Sequence, residues 1–270
     1  EQYILSTTWS CKNPDQPKMA SQEQIIITLV QGREGKAWAE KQQNGWSLYT
    51  KEPVCTWKGI KCDNLDRRTV VSIDVSGTEL PATIPPELGK LPNLQILALG
   101  NNEIRGSIPH EVANIPNLQL FNVSDNFITG NVPSFSSELL KTVDLSKNQL
   151  TGSLPENFGS SHDEMIIYDV MKNILSGTVP DSVRDMINLQ TLSLSDNAFS
   201  GLLPHGLGKL EYLKFLYLDD NYFVGTIPHD LARVDVQNVG DNMLEEVWLQ
   251  GNMLSGTVPV ALADASKLKD

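Results

Sequence analysis

An Asn, a Gly four residues later and a Pro three residues after that recur seven times along this chain. The first copy is Asn102, Gly106 and Pro109. The other copies begin at Asn126, Asn148, Asn173, Asn197, Asn221 and Asn252. A unit that recurs at a period of about 24 residues indicates a solenoid, in which each unit packs only on its neighbours. Function then has to be sought on the surfaces of the stack.

Aligned on the Asn, each unit reads L-x-x-L-x-L-x-x-N-x-L-x-G-x-I-P-x-x-L, with other apolar residues at some of the Leu positions. Apolar residues at the fourth and sixth positions predict a short strand with one face inward, and such strands stack into a curved parallel sheet. The Asn amide is expected to satisfy backbone groups between turns. The Gly permits a backbone conformation that a Cβ would hinder. The Pro sets an extended or turn-like segment on the far side.

The unit boundaries divide the chain into two parts, 1–69 before the repeats and 70–270 within them. Eight units begin at Val70, Leu94, Leu118, Leu140, Met165, Leu189, Leu213 and Leu244, and Leu268 would open a ninth. No cap follows the last unit, although an open core and an edge strand normally need one. We therefore expect the chain to continue or a partner protein to cover this end.

Three irregularities interrupt the regular spacing of the repeats. Compared with the usual repeat of 24 residues, the unit after Pro133 is two residues shorter and the unit that holds Ser160 to Asp163 is one residue longer. The stretch from Arg233 to Asn242 adds seven residues. Insertions in a solenoid bulge from one side and leave the strands in register, so these are candidate surface features. Tolerated drift in a convex loop is the alternative interpretation.

The charge of the chain restricts its partners. The net charge is −12 and the pI is about 4.8, which argues against nucleic acid and anionic membranes, because both need a basic footprint. We expect a basic or neutral partner. No apolar run approaches the roughly 20 residues that span a bilayer, so no membrane span is predicted.

All three cysteines precede the first repeat. Cys55 and Cys62 could close a short loop beside Trp57, which would imply an oxidising compartment, or they could be two thiols in a reduced protein. Cys11 is left over. Ser21 to Gln24 could form a capping box that opens a helix over residues 25–30, with Gly32 and Gly35 marking its end or a break.

The L-x-G-x-I-P continuation resembles the plant-type class of leucine-rich repeat, from about residue 70 to the end. The segment Pro53 to Cys62, after Trp46, resembles the N-terminal cap of the same proteins, which typically carry W-x-G-V-x-C. This chain has the single Cys55 where they often have two adjacent cysteines, and its leader, Glu1 to Ala20, does not match them.

That family includes ectodomains of receptor kinases, receptor-like proteins and secreted inhibitors of cell-wall hydrolases such as polygalacturonases. The resemblance implies an α/β solenoid, a right-handed superhelix with short parallel strands on its concave face and an N-terminal cap. It also implies a recognition module that is secreted or lies on the extracellular or lumenal side of a membrane.

The sequence contains no convergent set of catalytic residues, so we expect no enzyme and no cofactor. Gly32 to Lys36 lacks the spacing of a phosphate-binding loop, and neither H-E-x-x-H nor G-x-S-x-G occurs. Three histidines, His110, His205 and His229, directly follow a repeat Pro. A metal site would need further ligands that the spacing does not supply, so we expect solvated histidines on the convex side and no metal.

The solvent-facing concave positions are the third, fifth and seventh of each unit, with the eighth at the rim, and they carry two patches. The stronger combines aromatic and acidic residues: Phe215, Tyr217, Asp219, Asp220, Glu246 and Trp248. The weaker is the acid pair Asp144 and Asp169, on neighbouring strands about 4.8 Å apart. Exposed aromatics ringed by acids resemble an interaction hot spot. Ordinary variation at solvent positions is the alternative.

Asn122-Val-Ser124 is the one N-glycosylation sequon in the chain, and the register places Asn122 in the concave fifth column. A glycan there would block the middle of the concave face. An unused sequon is the alternative.

Two functions follow from these features. The first is a non-catalytic module that binds a peptide, protein or glycan along the acidic and aromatic concave positions, where acids would repel anions. The second is a structural or scaffolding subunit that docks through its cap, its insertion or its open C-terminal end.

Overall fold

The computed structural model describes residues 21–31, 33–42, 46, 52–231 and 243–263. The leader with Cys11, the insertion from Arg233 to Asn242 and the start of a ninth unit at Leu268 lie outside these residues. Strands are numbered along the chain, and through the repeats they alternate between two sheets.

The first sheet forms the concave face, as the repeat predicts. In the described part of the chain it has nine strands: β1 Ile60–Cys62, β2 Val70–Asp74, β3 Ile96–Ala98, β5 Leu120–Asn122, β7 Thr142–Asp144, β9 Ile167–Asp169, β11 Thr191–Ser193, β13 Phe215–Tyr217 and β15 Glu246–Trp248. From β2 onward all pairing is parallel, and equivalent positions of successive units face each other. Apolar residues such as Leu97 and Leu99 point inward and are fully buried.

The repeat asparagines form a ladder through the interior. The Asn126 Oδ1 accepts a hydrogen bond from the Ile104 amide at 2.9 Å, and its Nδ2 donates to three carbonyls, one of them Leu99 in the preceding unit at 3.0 Å. The other six asparagines make the equivalent bonds. The predicted role of the amide is confirmed: it pairs backbone groups that would otherwise be buried without partners.

A second parallel sheet, which the sequence pattern did not predict, lies between each Asn and the following Pro. Its described strands are β4 Arg105–Gly106, β6 Phe127–Asn131, β8 Gln149–Gly152, β10 Ile174–Gly177, β12 Ala198–Leu202, β14 Tyr222–Thr226 and β16 Met253–Ser255. The repeat Gly has a positive φ, for example +82° at Gly106, as predicted for a residue without a Cβ. Pro109 then extends the chain at ψ 140°.

Short helical turns complete the units on the convex side. They are α3 His110–Ala113, α4 Val260–Ala263 and the 3-10 turns Pro86–Lys90, Asp181–Asp185 and His205–Lys209. Most begin directly after a repeat Pro, which has a fixed φ and lacks the backbone N–H that would otherwise need a hydrogen-bond acceptor. No helix among the described residues has both the length and the apolar character to cross a bilayer.

The N-terminal cap begins with the predicted capping box. The Ser21 Oγ accepts from the Gln24 amide and the Gln24 Oε1 accepts from the Ser21 amide, which starts α1 Gln22–Ile26 and the 3-10 turn Ile27–Val30. The expected break follows, but Gly35 lies inside the next helix, α2 Arg33–Gln42, and does not end it. A Cβ on Gly35 would lie 2.8 Å from the Val30 carbonyl carbon, so this Gly permits close packing.

Three indole rings and a disulfide close this end of the core. The rings of Trp38 and Trp46 lie 5.3 Å apart, and those of Trp46 and Trp57 lie 5.7 Å apart. Cys55 and Cys62 form the disulfide, with their Cα atoms 5.5 Å apart. β1 pairs antiparallel with β2 and covers the first edge of the concave sheet.

Candidate functional site

The predicted aromatic residues meet on the last described strands of the concave sheet. Tyr217 and Trp248 are Cα partners on β13 and β15, and their rings make an edge contact at 5.0 Å and 69°. Phe215 stacks on Tyr217 at 6.3 Å and 17°. Trp248 is 48% exposed, whereas Phe215 and Tyr217 are half-buried. The three rings therefore form one continuous apolar surface with an exposed indole.

Glu246 fixes the orientation of this surface. The Tyr217 hydroxyl donates a hydrogen bond to the Glu246 carboxylate at 2.9 Å. Partial burial, followed by that bond and the Glu246 charge, raises the pKa of Tyr217 to about 12. The phenol therefore remains a neutral donor at physiological pH, held against an acid at the side of the rings.

The two consecutive acids of this patch have different environments. Asp219 is only 7% exposed and accepts a hydrogen bond from the Ser195 hydroxyl, so the expectation that it faces solvent is wrong. The neighbouring unit supplies a hydroxyl that draws the carboxylate inward. Asp220 is exposed at the rim. A Cβ on Gly251 would clash with the Asp220 carboxylate, so the absence of a side chain there leaves room for this acid.

The acid pair is adjacent, as predicted. Asp144 and Asp169 are Cα partners on β7 and β9. Burial raises the pKa of Asp169 to about 6, the Asp144 charge adds to the rise, and the Met171 amide opposes it. Asp144 accepts from both the amide and the hydroxyl of Ser146. The pair therefore holds a carboxyl group that changes charge in mildly acidic solution.

A buried serine, which the sequence did not single out, joins the two patches. Ser193 on β11 is 1% exposed and lies in register between Asp169 and Tyr217. The Asp169 charge contributes to the raised pKa of Tyr217, so the two groups interact across this small side chain. We define the concave strip as Asp144, Asp169, Ser193, Phe215, Tyr217, Glu246 and Trp248. In the sequence, the signal for this link was Ser193, a small residue at the fifth position between the units that carry Asp169 and Tyr217.

Asn122 lies next to the strip on β5. Its Nδ2, the atom that a glycan would occupy, donates to the Asp144 carboxylate at 3.1 Å. Its Oδ1 accepts from the amide and the hydroxyl of Ser124, at 3.0 and 2.8 Å. The sequon is thus bonded within the concave face, and its glycosylation stays a prediction.

The histidines after the repeat prolines are solvated. The His110 and His205 side chains are 80% and 73% exposed, and His229 is also exposed. His205 Nδ1 lies 3.8 Å from an Asp230 carboxylate oxygen. Within the described ranges, no group of three or more His, Cys, Asp or Glu side chains is placed to hold a metal ion.

The short unit and the long unit meet at a small, partly open pocket at the edge of the core. It has a volume of about 20 Å³, and its lining includes Phe135, Phe158, His162 and Tyr168. The Tyr168 hydroxyl and the His162 Nδ1 are buried and have no hydrogen-bond partner in the described part of the chain. Burial lowers the pKa of His162. The irregular lengths thus change the core rather than only a surface loop.

Comparisons with known proteins agree with this architecture. Two family models, both described as leucine-rich repeat, match residues 169–223 and residues 93–115 and 139–161. The LRR receptor-like serine/threonine-protein kinase FEI 2 of Arabidopsis thaliana is 40% identical over 57 residues, which cover 21% of this chain and 9% of that protein.

Solved structures extend the likeness over most of the chain. The HAESA ectodomain of Arabidopsis, solved with a peptide hormone, is 30% identical with a TM-score of 0.73, and the match covers 91% of this chain and 39% of that one. The PEPR1–AtPEP1 structure is 27% identical with a TM-score of 0.72, covering 90% and 36%. The matches therefore cover well under half of each of these three proteins. It is a leucine-rich repeat solenoid that resembles the ectodomains of plant receptor kinases.

Proposed function

We propose that the chain is an extracellular recognition module that binds a basic or neutral ligand along the concave strip. The observation that carries this proposal is the half-exposed Trp248 indole, held in an edge contact by Tyr217 beside an acid. Large aromatic side chains held rigidly at the surface are typical of binding hot spots.

A peptide is the favoured ligand class among peptide, protein and glycan. The HAESA ectodomain, which shares the fold and 30% identity, was solved with a peptide hormone. An extended peptide could cross several strands and meet both ends of the concave strip. Its cationic groups would face Asp144, Asp169 and Glu246, and a cation over the Trp248 ring would gain a further cation–π attraction.

The disulfide supports the proposed location. A bond between Cys55 and Cys62 persists in secreted and lumenal compartments and is rare in the reducing cytosol. We therefore place the chain in the secretory pathway or outside the cell, like the ectodomains it resembles.

Selection from a random peptide display library tests the proposal. We expect the selected peptides to be rich in Lys and Arg and to lose at least about tenfold in affinity for a Tyr217→Ala/Trp248→Ala variant. His110→Ala, on the convex side, is the matched control and should leave binding unchanged. Peptides that bind both variants equally well would contradict the assigned site.

A scaffolding role is the second candidate. The described observation that favours it is a set of exposed apolar side chains on the second sheet, away from the concave strip.

A further inference from the structure

Large apolar side chains are exposed on the outer surface of the second sheet. Six of its large apolar side chains are exposed: Phe127, Ile174, Leu202, Tyr222, Val224 and Met253. Leu202, Val224 and Met253 are successive Cα partners across β12, β14 and β16, so they form a continuous row. Exposed apolar patches of this kind mark interaction surfaces. We name this surface the lateral face.

Charged side chains come two residues before the first outward-facing position of several second-sheet strands, as Asp220 does before Tyr222. The residue before each repeat Asn adopts a positive φ between 52° and 56° from Asn101 to Asp220. Two consecutive units carry Lys147 and Lys172 at this position, and the next two carry Asp196 and Asp220. Asn and Asp adopt such backbone readily, whereas Lys does so less readily. Local conformation therefore does not explain the choice of lysine.

This arrangement places like charges side by side. Successive units are about 5 Å apart, so Lys147 adjoins Lys172 and Asp196 adjoins Asp220. Across the part of the chain that the structure describes, none of these four side chains forms an ion pair within 4 Å. Lys147 does lower the pKa of Asp169 from a distance. Opposite charges brought within about 4 to 6 Å of each like-charged pair would offset the repulsion within it.

The charge pattern is self-complementary under a two-fold axis. Two antiparallel copies, with the axis between the units of Lys172 and Asp196, bring Lys172 of each copy opposite Asp196 of the other. The same axis brings Lys147 opposite Asp220. A two-fold interface uses the same patch on both copies, so one alignment satisfies all four charges twice.

We propose that the lateral face is an antiparallel interface between two copies of this chain. The apolar row of one copy packs against the half of the partner's lateral face that carries Phe127 and Ile174. The single sequon, at Asn122, lies on the concave sheet and would leave this interface free of glycan. The concave strip also stays open, so the proposal does not depend on the identity of the ligand.

Sedimentation equilibrium on charge-swapped variants tests the interface. We expect the wild-type chain to form dimers in the micromolar range. The acidic variant, Lys147→Asp/Lys172→Asp, and the basic variant, Asp196→Lys/Asp220→Lys, should each dimerise about 100-fold more weakly, because every pair becomes repulsive. An equimolar mixture should form a heterodimer with restored affinity.

The equimolar mixture distinguishes a variant that has lost its interface from a variant that has failed to fold, because two unfolded variants would not associate when mixed. Circular dichroism checks that each variant is folded, and Trp248→Ala, on the concave strip, should leave dimerisation unchanged. A wild-type chain that remains monomeric, a variant that dimerises as well as wild type, or a mixture that does not associate would each overturn the proposal.

Discussion

The asparagine ladder and the concave strip lie four residues apart in the same units, yet their compositions differ. Asn148 and Asn221 make the same bonds to the backbone, whereas Asp144 and Tyr217, four residues before them, share no chemistry. Each turn of the solenoid presents the same unpaired amide and carbonyl groups to its interior, so one side chain suits every turn. Solvent makes no such demand on the concave face, which leaves those positions free to differ.

Removing one amide from the asparagine ladder should lower the stability of the fold more than any other change considered. Asn148→Ala removes four hydrogen bonds and leaves buried backbone groups without partners, so we expect the free energy of unfolding to fall by about 3 to 5 kcal/mol. Urea denaturation followed by circular dichroism measures it. Asn148→Asp places a second oxygen against the three carbonyls to which Nδ2 donates, so at neutral pH the buried carboxylate should cost at least as much as the Ala substitution. A loss below about 1 kcal/mol would show that the ladder is dispensable.

Truncating the aromatic end of the strip should weaken ligand binding and leave the stability of the fold nearly unchanged. Tyr217→Ala/Trp248→Ala removes exposed and half-buried rings, so we expect a loss of about 2 kcal/mol in peptide binding. The free energy of unfolding should change by less than about 1 kcal/mol, because the inward residues of these strands are untouched. Calorimetric titration and urea denaturation of the same sample separate the two quantities. A large loss of stability with intact binding would show that these rings stabilise the fold and do not bind the ligand.

The acid pair should make the strip sensitive to pH. The folded pKa of Asp169 is about 6 and its ordinary value is 3.8, so the carboxyl group favours the folded state fully below pH 3.8. That contribution is lost as the pH rises through 6, because the unfolded chain ionises first. Asp169→Asn should therefore stabilise the protein at neutral pH by about 1 kcal/mol, after allowance for solvent screening.

The measurement is the difference in unfolding free energy between wild type and Asp169→Asn from pH 4 to 7. Using the difference removes the effect of His162, whose lowered pKa acts in the opposite sense: its contribution is lost as the pH falls below its ordinary value of 6.5. Asp74→Asn removes an exposed acid of the same column and is the matched control. A flat difference would contradict the raised pKa.

The smallest expected effect concerns the irregular units. Tyr168→Phe removes a buried hydroxyl that has no partner in the described residues, so we expect a gain of about 0.5 kcal/mol in unfolding free energy. The gain is small because a 20 Å³ pocket can hold one water molecule that partly satisfies the hydroxyl. A loss above about 1 kcal/mol would show that the hydroxyl is firmly hydrogen-bonded.

The repeated part of the fold was predictable because its physical causes recur. The strands, the asparagine ladder and the positive φ of the repeat Gly follow from patterns that seven copies display, and the Ser21 capping box follows from local spacing. The second sheet was not predictable. Its strands are short, interrupted by Gly and rich in Ser and Thr, so they lack the alternating pattern of a strand with one buried face.

The candidate site was predictable only in its register. The pairs Tyr217–Trp248 and Asp144–Asp169 follow from aligned units, since equivalent positions become neighbours. The burial of Asp219 depends on the Ser195 hydroxyl in the preceding unit, and the link between the two patches depends on the small volume of Ser193. Such contacts between units require the positions of side chains, which periodicity does not supply.

Hydroxyl-radical footprinting of the chain with and without a selected peptide shows which of the two sheets the peptide covers. Trp248 and Tyr222 have similar exposure, 48% and 56%, but lie on different sheets. At one protein concentration, we expect the peptide to slow the oxidation of Trp248 and to leave that of Tyr222 unchanged. Protection of Tyr222 without protection of Trp248 would contradict the concave strip as the binding surface.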